Sequence, residues 1–354
     1  MPLLARMLAA PLVIDVRPGA IAGLRGLLAD GRIAPHGRVA IVVGPGQGEE
    51  IAAALRAAGQ LDGEFFTVAD GSYDRAVELG TKLRAAASFE AVAAIGGGRT
   101  IDVTKLAAHM AGLPMVSVAT SLAHDGIASP VSTLTHESGT GSYGVVPPVA
   151  VVVDLDRVRS APGALATAGI GDVVSNLSAV ADWELSAADT GEPVDGLAVA
   201  MARAGAQSVL HQPGPADTDE FLTVLAEALI LSGMAMAVAG SSRPSSGGDH
   251  EIMHAINQLF PGTASHGELA GIGALFCTHL REDGEQFAAV SSCLARNGLP
   301  RRPAEVGLSA EQFVTAVCLA PATRPGRYTI LERLAMSRDE AAKRVEEYER
   351  AVAG

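Results

Sequence analysis

The chain has only three cysteines, Cys277, Cys293 and Cys318, and no two of them form a CxxC pair. A set this sparse, odd in number and unpatterned excludes a disulfide framework and favours a reducing compartment. The apolar start MPLLARMLAAPLVIDV has no basic segment ahead of it, so we interpret it as the entry into a first strand and not as a signal peptide. No run approaches the roughly 18 consecutive apolar residues that span a membrane. These absences predict a cytoplasmic protein with no membrane partner.

Basic residues are also in deficit, with 26 Lys and Arg against 39 Asp and Glu and a net charge of −13. A nucleic-acid surface needs clustered Lys and Arg, so this balance excludes a nucleic-acid partner, although a few local arginines can still hold a small anion. Aromatic residues make up only 4% of the chain, against 48% for all hydrophobic residues. We therefore expect a globular protein with a core of Ala, Val, Leu and Ile.

Short apolar runs alternate with Ala-rich helical stretches in the first 155 residues. The runs are RVAIVV (38–43), FFTV (65–68), AVAAI (91–95), PMVSVAT (114–120) and VAVVVDL (149–155). This alternation predicts βαβ units and an α/β fold, with a Rossmann-like parallel sheet, followed by an all-helical part with Ala- and Leu-rich helical spacing. We place the domains at residues 1–156 and 157–354. Residues 135–148, rich in Gly, Ser and Pro, are expected to form a loop or hairpin, and 337–354 a solvated amphipathic helix.

Three glycines follow the predicted strand AVAAI in IGGGRTIDVTK (95–105). Residues without a Cβ let the backbone approach a pyrophosphate, and the N-terminus of the following helix favours an anion. The pattern is not GxGxxG, and a glycine-rich turn without a ligand is the alternative. GPGQG (44–48) also follows a strand but is a weaker signal.

Polar side chains follow in two further segments. In TSLAHDGIASP (120–130), Thr120 and Ser121 can donate to a phosphate or an amide, and Asp125 can accept from a substrate hydroxyl, or simply cap a turn. In GIGDVVSN (169–176), Asp172 is a carboxylate in an apolar stretch, for which a helix N-cap is the alternative.

Three histidines lie within GGDHEIMHAINQLFPGTASHGE (247–268). If GDHEIMHAINQL is a helix, His250 and His254 share one face at i and i+4, a common way to present two imidazoles to one ion. His266 follows a turn. With no Cys nearby, nitrogen and oxygen ligands are implied, most simply around Zn²⁺ with an acidic ligand. The spacing does not choose among Asp172, Asp249 and Glu268, and buried core histidines are the alternative.

Together these stretches resemble the sn-glycerol-1-phosphate dehydrogenase family, in the superfamily of glycerol dehydrogenases, iron-containing alcohol dehydrogenases and dehydroquinate synthases. The matching segments occur in the family's order over roughly residues 90–335: GGGRTIDVTKLAA, TSLAHDGIASP, GIGDVVSNLSAVADW, SSRPSSGGDHEIMHAI, SHGELAGIG and APATRPGRYTILE. The resemblance implies the dehydroquinate synthase-like form of the predicted fold. It also implies cofactor contacts, a pyrophosphate loop among them, at Gly96, Gly97, Gly98, Arg99, Thr100, Thr120, Ser121 and Ser129.

The resemblance also assigns the chemistry. It implies that Asp172, His250 and His266 bind a divalent metal, usually Zn²⁺ and alternatively Ni²⁺ or Fe²⁺. It implies that His254 is a substrate-side or proton-relay histidine, for which an unperturbed pKa would suit the task, and that Asp125 contacts the substrate.

We accordingly expect a metal-dependent NAD(P)H oxidoreductase that interconverts a small phosphorylated ketone and its alcohol. The substrate pair would be dihydroxyacetone phosphate and sn-glycerol 1-phosphate or a related polyol phosphate, and the protein a homo-oligomer. Arg243, Arg324 and Arg327 are candidates for the substrate phosphate, with structural ion pairing as the alternative. Asp70, after FFTV, favours NAD over NADP if it lies near the ribose.

Two other functions are compatible with these residues. A dehydroquinate-synthase-like cyclase would use NAD transiently and eliminate phosphate, and it would be expected to show more basic residues around the site. A protein that has lost catalysis and only binds a nucleotide would not need three metal ligands.

Overall fold

The computed structural model describes residues 10–59, 63–86, 88–137 and 139–353. The chain divides into two compact units, of which the first ends at Gly163 and the second begins at Ala164. The first is an α/β unit and the second is helical. The predicted fold class is confirmed.

A six-stranded parallel sheet forms the centre of the first unit. Its strands are β1 (Val13–Arg17), β2 (Val39–Val43), β3 (Glu64–Thr67), β4 (Ala91–Gly96), β5 (Met115–Ala119) and β8 (Ala150–Asp154), and β6 (Val131–His136) and β7 (Gly139–Gly144) form a separate antiparallel hairpin. The order across the sheet is β1-β8-β5-β4-β2-β3. Every residue of β2, β4, β5 and β8 is buried, which explains why these strands are continuous apolar runs.

Helices follow or connect these strands. They are α1 (Leu24–Leu28), α2 (Gln47–Ala57), α3 (Tyr73–Ala86), α4 (Gly98–Ala111) and α5 (Leu155–Ser160), with 3₁₀ turns at Ala20–Gly23 and Asp125–Ile127. The register pairs Val43 of β2 with Ile95 of β4, and Ile95 with Val118 of β5. Three neighbouring strands therefore end level with one another, and the loops that follow them lie side by side.

The second unit consists of helices, and the structure shows no strand between residues 164 and 353. The helices are α6 (Gly163–Thr190), α7 (Gly196–His211), α8 (Asp219–Ala239), α9 (Gly248–Leu259), α10 (His266–Leu280), α11 (Gly284–Arg296), α12 (Ala310–Thr323), α13 (Ile330–Leu334) and α14 (Arg338–Ala353). Two 3₁₀ turns, at Arg243–Ser245 and Pro303–Val306, interrupt them.

The expectation that no segment approaches the apolar length of a membrane span needs correction. Helices α6 and α8 are long and apolar enough to cross a membrane by composition, although 72% and 61% of their most apolar windows are buried in the protein, as in core helices.

The expectation that the C-terminal helix α14 is a solvated surface element also needs correction. Tyr348 on α14 is completely buried and packs edge-on against Phe276, with ring centroids 5.2 Å apart. Residue 354 lies outside the described residues, as do residues 1–9 of the predicted strand entry MPLLARMLAAPLVIDV, whose last residues belong to β1.

Candidate functional site

Asp172, His250 and His266 converge in the second unit. His266 Nε2 lies 3.1 Å from Asp172 Oδ1 and 3.2 Å from His250 Nε2, and His250 Nε2 lies 3.9 Å from Asp172 Oδ1. Ligands about 2.0–2.2 Å from one zinc ion can be at most about 4.4 Å apart, so all three separations fit a shared ion. The side chains of Asp172 and His250 are 5% and 8% exposed, while that of His266 is 36% exposed. The donor set is therefore buried from solvent at Asp172 and His250 and accessible to solvent at His266.

Glycines beside two of these residues explain how the helices bring them together. Asp172 is in the interior of α6, not at an N-cap, and His266 is the first residue of α10. A Cβ on Gly267 would lie 1.7 Å from the carbonyl oxygen of Ala168, and one on Gly171 would lie 2.2 Å from the carbonyl oxygen of Gly267. The backbones of helices α6 and α10 are therefore in direct contact next to Asp172 and His266.

Two acidic residues left open as ligands by the spacing have other partners. Asp249 pairs with Nδ1 of His250, which directs Nε2 of that ring toward Asp172 and His266. Such an outer carboxylate fixes the ring orientation of a metal-binding histidine. Glu268 accepts hydrogen bonds from the backbone N–H and hydroxyl of Ser265 in a capping box at the start of α10. That box holds the helical turn on which His266 lies.

His254 lies one helical turn beyond His250 and faces a different partner. Its Nε2 lies 2.9 Å from a guanidinium nitrogen of Arg324. Because guanidinium only donates, Nε2 is the acceptor and the proton of the neutral ring is on Nδ1. Burial, followed by the positive charge of Arg324, lowers the pKa of His254 to about 2. The expectation of an unperturbed pKa is therefore wrong.

Arg324 and Arg327 form a cationic pair beside His254. Both donate to Ser242 Oγ, at 3.1 and 3.0 Å, and neither forms an ion pair with any residue that the structure describes. Burial lowers the pKa of Arg327 to about 10, and the neighbouring charge of Arg324 adds to the effect. Two half-buried guanidinium groups without a carboxylate partner among the described residues are suited to bind an anion. Sequence reasoning does not single out Ser242, whose only signal is its place in SSRP.

Arg243 differs from the other two candidate arginines. It forms an ion pair with Glu192 and donates to the backbone carbonyl of Tyr328 at 2.9 Å. These contacts engage its guanidinium nitrogens, as in a structural ion pair. Of the two interpretations that the sequence left open for Arg243, these contacts support structural ion pairing.

The glycine-rich turn lies at the carboxyl end of β4 in the first unit. Gly97 is the N-cap of α4, and Gly98 and Arg99 form its first turn, with Arg99 exposed and Thr100 buried. The backbone of Gly44, which begins the GPGQG loop, donates to the carbonyl of Ile95 at 3.2 Å. The two glycine-rich loops are therefore adjacent, and α4 begins within the second of them, at Gly98.

Two of the further cofactor candidates are next to this turn. The backbone of Thr120 donates to the carbonyl of Gly96 at 3.1 Å, and Ser121 Oγ lies 3.1 Å from the point where a Cβ on Gly97 would be. Ser129 is instead 1% exposed, and its hydroxyl lies 3.4 Å from Lys105 Nζ. Ser129 as a cofactor contact remains a prediction.

Asp125 is the first residue of the short 3₁₀ turn Asp125–Ile127. The cap of that turn is His124, whose Nδ1 accepts from Gly126 N at 3.0 Å. The half-buried Asp125 is thus not the capping residue, and its contact with substrate remains a prediction.

The sequence is similar to known dehydrogenases over most of its length. Residues 15–162 match the profile of the iron-containing alcohol dehydrogenases. The glycerol-1-phosphate dehydrogenase of Pyrococcus furiosus is 40% identical over 253 residues, 71% of this chain and 72% of that protein. That of Hyperthermus butylicus is 36% identical over 329 residues, 91% of this chain and 92% of its own length.

Solved structures share the fold. The crystal structure of a probable glycerol dehydrogenase from Sinorhizobium meliloti superposes with a TM-score of 0.77 at 21% identity, over 99% of both chains. A glycerol dehydrogenase from Schizosaccharomyces pombe superposes with a TM-score of 0.76 at 20% identity, over 99% of this chain and 91% of that one. At this identity the likeness supports the two-part architecture alone.

Proposed function

The chain belongs to the glycerol-1-phosphate dehydrogenase family, and on that premise we propose that it interconverts dihydroxyacetone phosphate, or a closely related phosphorylated ketone, with its alcohol sn-glycerol 1-phosphate. The cofactor is NAD(P) and the enzyme requires a divalent metal. One observation carries the proposal: the arginine pair Arg324 and Arg327, with no ion-pair partner among the described residues, lies beside His254, one helical turn from the His250 donor. The arginine pair would bind a phosphate, and a metal held at His250 would bind a carbonyl oxygen. Their proximity suits a small phosphorylated ketone.

Asp172, His250 and His266 would hold the metal, and their nitrogen and oxygen donors suit Zn²⁺, with Ni²⁺ or Fe²⁺ as alternatives. When bound, the ion supplies Lewis-acid polarisation of the substrate oxygen, and the nicotinamide supplies or accepts the hydride. The exposed side of His266 leaves room for that oxygen, while Asp249 holds His250 in orientation.

His254 handles the proton at its Nδ1 atom. The neutral ring is a hydrogen-bond donor at Nδ1 because Arg324 donates to Nε2. Release of the Nδ1 proton to the substrate oxygen would leave an imidazolate, which the guanidinium charge of Arg324 at Nε2 would stabilise until a proton from solvent returns to Nδ1. His254 therefore acts as a neutral relay and not as an imidazolium acid.

In the first unit, Gly96–Gly98 and the N-terminus of α4 would bind the pyrophosphate, with Arg99, Thr100, Thr120, Ser121 and Ser129 as further cofactor contacts. Asp70 lies beyond the end of β3, where hydrogen bonds from the hydroxyl and backbone N–H of Ser72 lower the pKa of its carboxyl. A carboxylate there would accept from the ribose 2′-hydroxyl and repel a 2′-phosphate, so we propose NAD as the preferred cofactor. Asp125 is proposed to contact the substrate.

The decisive experiment follows NADH and NADPH oxidation with dihydroxyacetone phosphate and with unphosphorylated dihydroxyacetone, each with and without chelator. We expect chelator-sensitive turnover that strongly prefers the phosphorylated ketone. Release of inorganic phosphate without net NADH oxidation would contradict the proposal and support the cyclase instead. Absence of both bound metal and turnover across a panel of polyol phosphates would leave only a nucleotide-binding protein.

The phosphate assignment has its own variant pair. Arg327→Gln removes one guanidinium that does not touch His254, and the loss of a charge-assisted hydrogen bond is expected to lower kcat/KM for the phosphorylated ketone about 10- to 100-fold. Arg333→Gln removes an arginine that is 51% exposed and pairs with Asp189, and it serves as the control. An equal loss with unphosphorylated dihydroxyacetone would refute the phosphate contact.

We also propose a cytoplasmic homo-oligomer. Leu12 and Ile14 are 52% and 45% exposed at β1, an edge strand of the sheet, and apolar side chains on such an edge favour association. Light scattering of the wild type and of Ile14→Lys tests this surface, and a monomeric wild type would contradict it. Free, unpaired Cys277 and Cys293 suit a reducing compartment.

A further inference from the structure

Asp182 is a completely buried carboxylate that joins three segments of the second unit. It lies on α6, where its Oδ2 accepts from the backbone N–H of Gly248 at 2.8 Å and its Oδ1 accepts from the backbone N–H of Ile330 at 2.8 Å. A guanidinium nitrogen of Arg281 lies 2.5 Å from Oδ1. One side chain therefore binds the first turn of α9, the start of α13 and the end of α10.

Each of these segments carries part of the candidate site. Helix α6 carries Asp172 as well as Asp182. Gly248 is the first residue of α9 and comes two positions before His250. Ile330, the first residue of α13, comes three positions after Arg327. Asp182 therefore links α6, which carries Asp172, to the start of α9 and to the segment that follows Arg327.

The two glycines of SSGGDH show how closely α9 approaches this carboxylate. A Cβ on Gly247 would lie 2.5 Å from Asp182 Oδ2 and 3.0 Å from the Cα of Ala179. Any larger residue at 247 would push the start of α9 away from α6. Close packing against α6 therefore favours glycine at position 247, independently of turn geometry.

Arg281 balances the buried charge of Asp182. It also donates to the carbonyl and hydroxyl oxygens of Ser178 at 3.1 and 3.2 Å. Burying an ion pair contributes little net stability compared with apolar side chains of the same size, so stability alone does not account for it. A carboxylate at the N-terminus of α9 and α13, however, satisfies N–H groups that a helix leaves without partners.

We propose that Asp182 is a positioning residue that sets the geometry of the metal donors and of the arginine pair together. It accepts backbone hydrogen bonds from Gly248 and Ile330, and it acts through these two backbone groups. The proposal rests on the proposed function only in taking Asp172, His250 and His266 as metal ligands and Arg327 as a phosphate contact.

The first test measures Zn²⁺ affinity by competition with a chromophoric chelator, in the full-length protein without substrate. Asp182→Asn keeps the shape but offers one acceptor oxygen where two N–H groups need one each. We expect Zn²⁺ binding about 10- to 100-fold weaker, as for other groups that orient metal ligands. Asp283→Asn, which alters a carboxylate cap on α11, is the control and should keep wild-type affinity.

A second variant pair approaches the same contact from the other side. Gly247→Ala is expected to weaken Zn²⁺ binding as Asp182→Asn does, whereas Gly284→Ala, with no atom within 4 Å of the added Cβ, is not. Asp182→Asn combined with Arg281→Gln removes the unpaired buried charge. If Asp182 is a positioning residue, this double variant should regain the thermal stability of the metal-free protein, measured in excess chelator. Its Zn²⁺ affinity should remain weak.

At saturating Zn²⁺, Asp182→Asn should raise the KM for dihydroxyacetone phosphate more than it lowers kcat. The metal donors and the arginine pair both shift in this variant, whereas the relay residue His254 is unchanged. Wild-type Zn²⁺ affinity in folded Asp182→Asn and Gly247→Ala, or its full recovery in the double variant, would overturn the proposal. A wild type that binds Zn²⁺ but turns over no polyol phosphate would instead refute the proposed function and leave the metal-affinity comparison intact.

Discussion

Replacing Gly267 with alanine should separate two metal donors without removing either of them. The new Cβ would lie 1.7 Å from the carbonyl oxygen of Ala168, whereas ordinary contact begins at 3.4 Å. Relieving the overlap by moving α10 alone requires a shift of about 1.7 Å, the difference between these two distances. The separation of His266 Nε2 and Asp172 Oδ1, 3.1 Å now, would then increase to as much as about 4.8 Å.

That separation is too large for one zinc ion, since two ligands at about 2.2 Å can be no more than about 4.4 Å apart. We expect Gly267→Ala to fold with a free energy of unfolding about 1–3 kcal/mol lower, as for other overpacked cores, and to lose most of its Zn²⁺ affinity. Chelator competition measures the affinity, and thermal unfolding in excess chelator measures the apo stability.

Gly196→Ala is the matched control, because it also adds a Cβ in the first turn of a helix in this unit and the added Cβ meets no atom within 4 Å. Wild-type Zn²⁺ affinity in folded Gly267→Ala would refute the reasoning, because it would mean that the donors can meet without the backbone contact of α6 and α10.

Three further outcomes are expected. His266→Ala should lose bound metal and activity together, whereas His254→Ala should retain metal and lose rate, so equal metal loss in both would show that the ligand assignment is wrong. Asp249→Asn should weaken Zn²⁺ binding about 10-fold in chelator competition, since the carboxylate orients His250, and unchanged affinity would exclude that role. Asp70→Asn should raise kcat/KM for NADPH relative to NADH in steady-state assays, because the charge that repels a 2′-phosphate is gone, and an unchanged ratio would place Asp70 away from the ribose.

The local sequence predicted much of the first unit. Strands β2, β4, β5 and β8 occur where continuous apolar runs stand between helical stretches, and α4 begins at Gly98, the last of the three glycines. The segment 135–148, which the sequence predicts to be a loop or hairpin, contributes to the hairpin of β6 and β7. Such features depend on residues close together in the chain, and so periodicity and glycine placement carry them.

The motifs also indicated the histidines, but pattern and resemblance differ in what they supplied. The i, i+4 spacing predicted that His250 and His254 share a helix, which α9 confirms. The spacing also favoured a common ion for both. Only the resemblance separated their roles, and the contact between His254 and Arg324 supports that separation.

The choice among acidic residues and among arginines required the tertiary structure. Asp172 is 78 residues from His250 in sequence, and it meets His266 only because Gly171 and Gly267 let two helices cross in backbone contact. Asp249, adjacent to His250, instead contacts Nδ1 of that ring, while Nε2 is the nitrogen directed toward the other donors. Sequence alone determined which side chains were available and on which helices they lie. Only packing between distant helices decided which of them converge, because a donor's position depends on where two backbones touch and not on its distance along the chain.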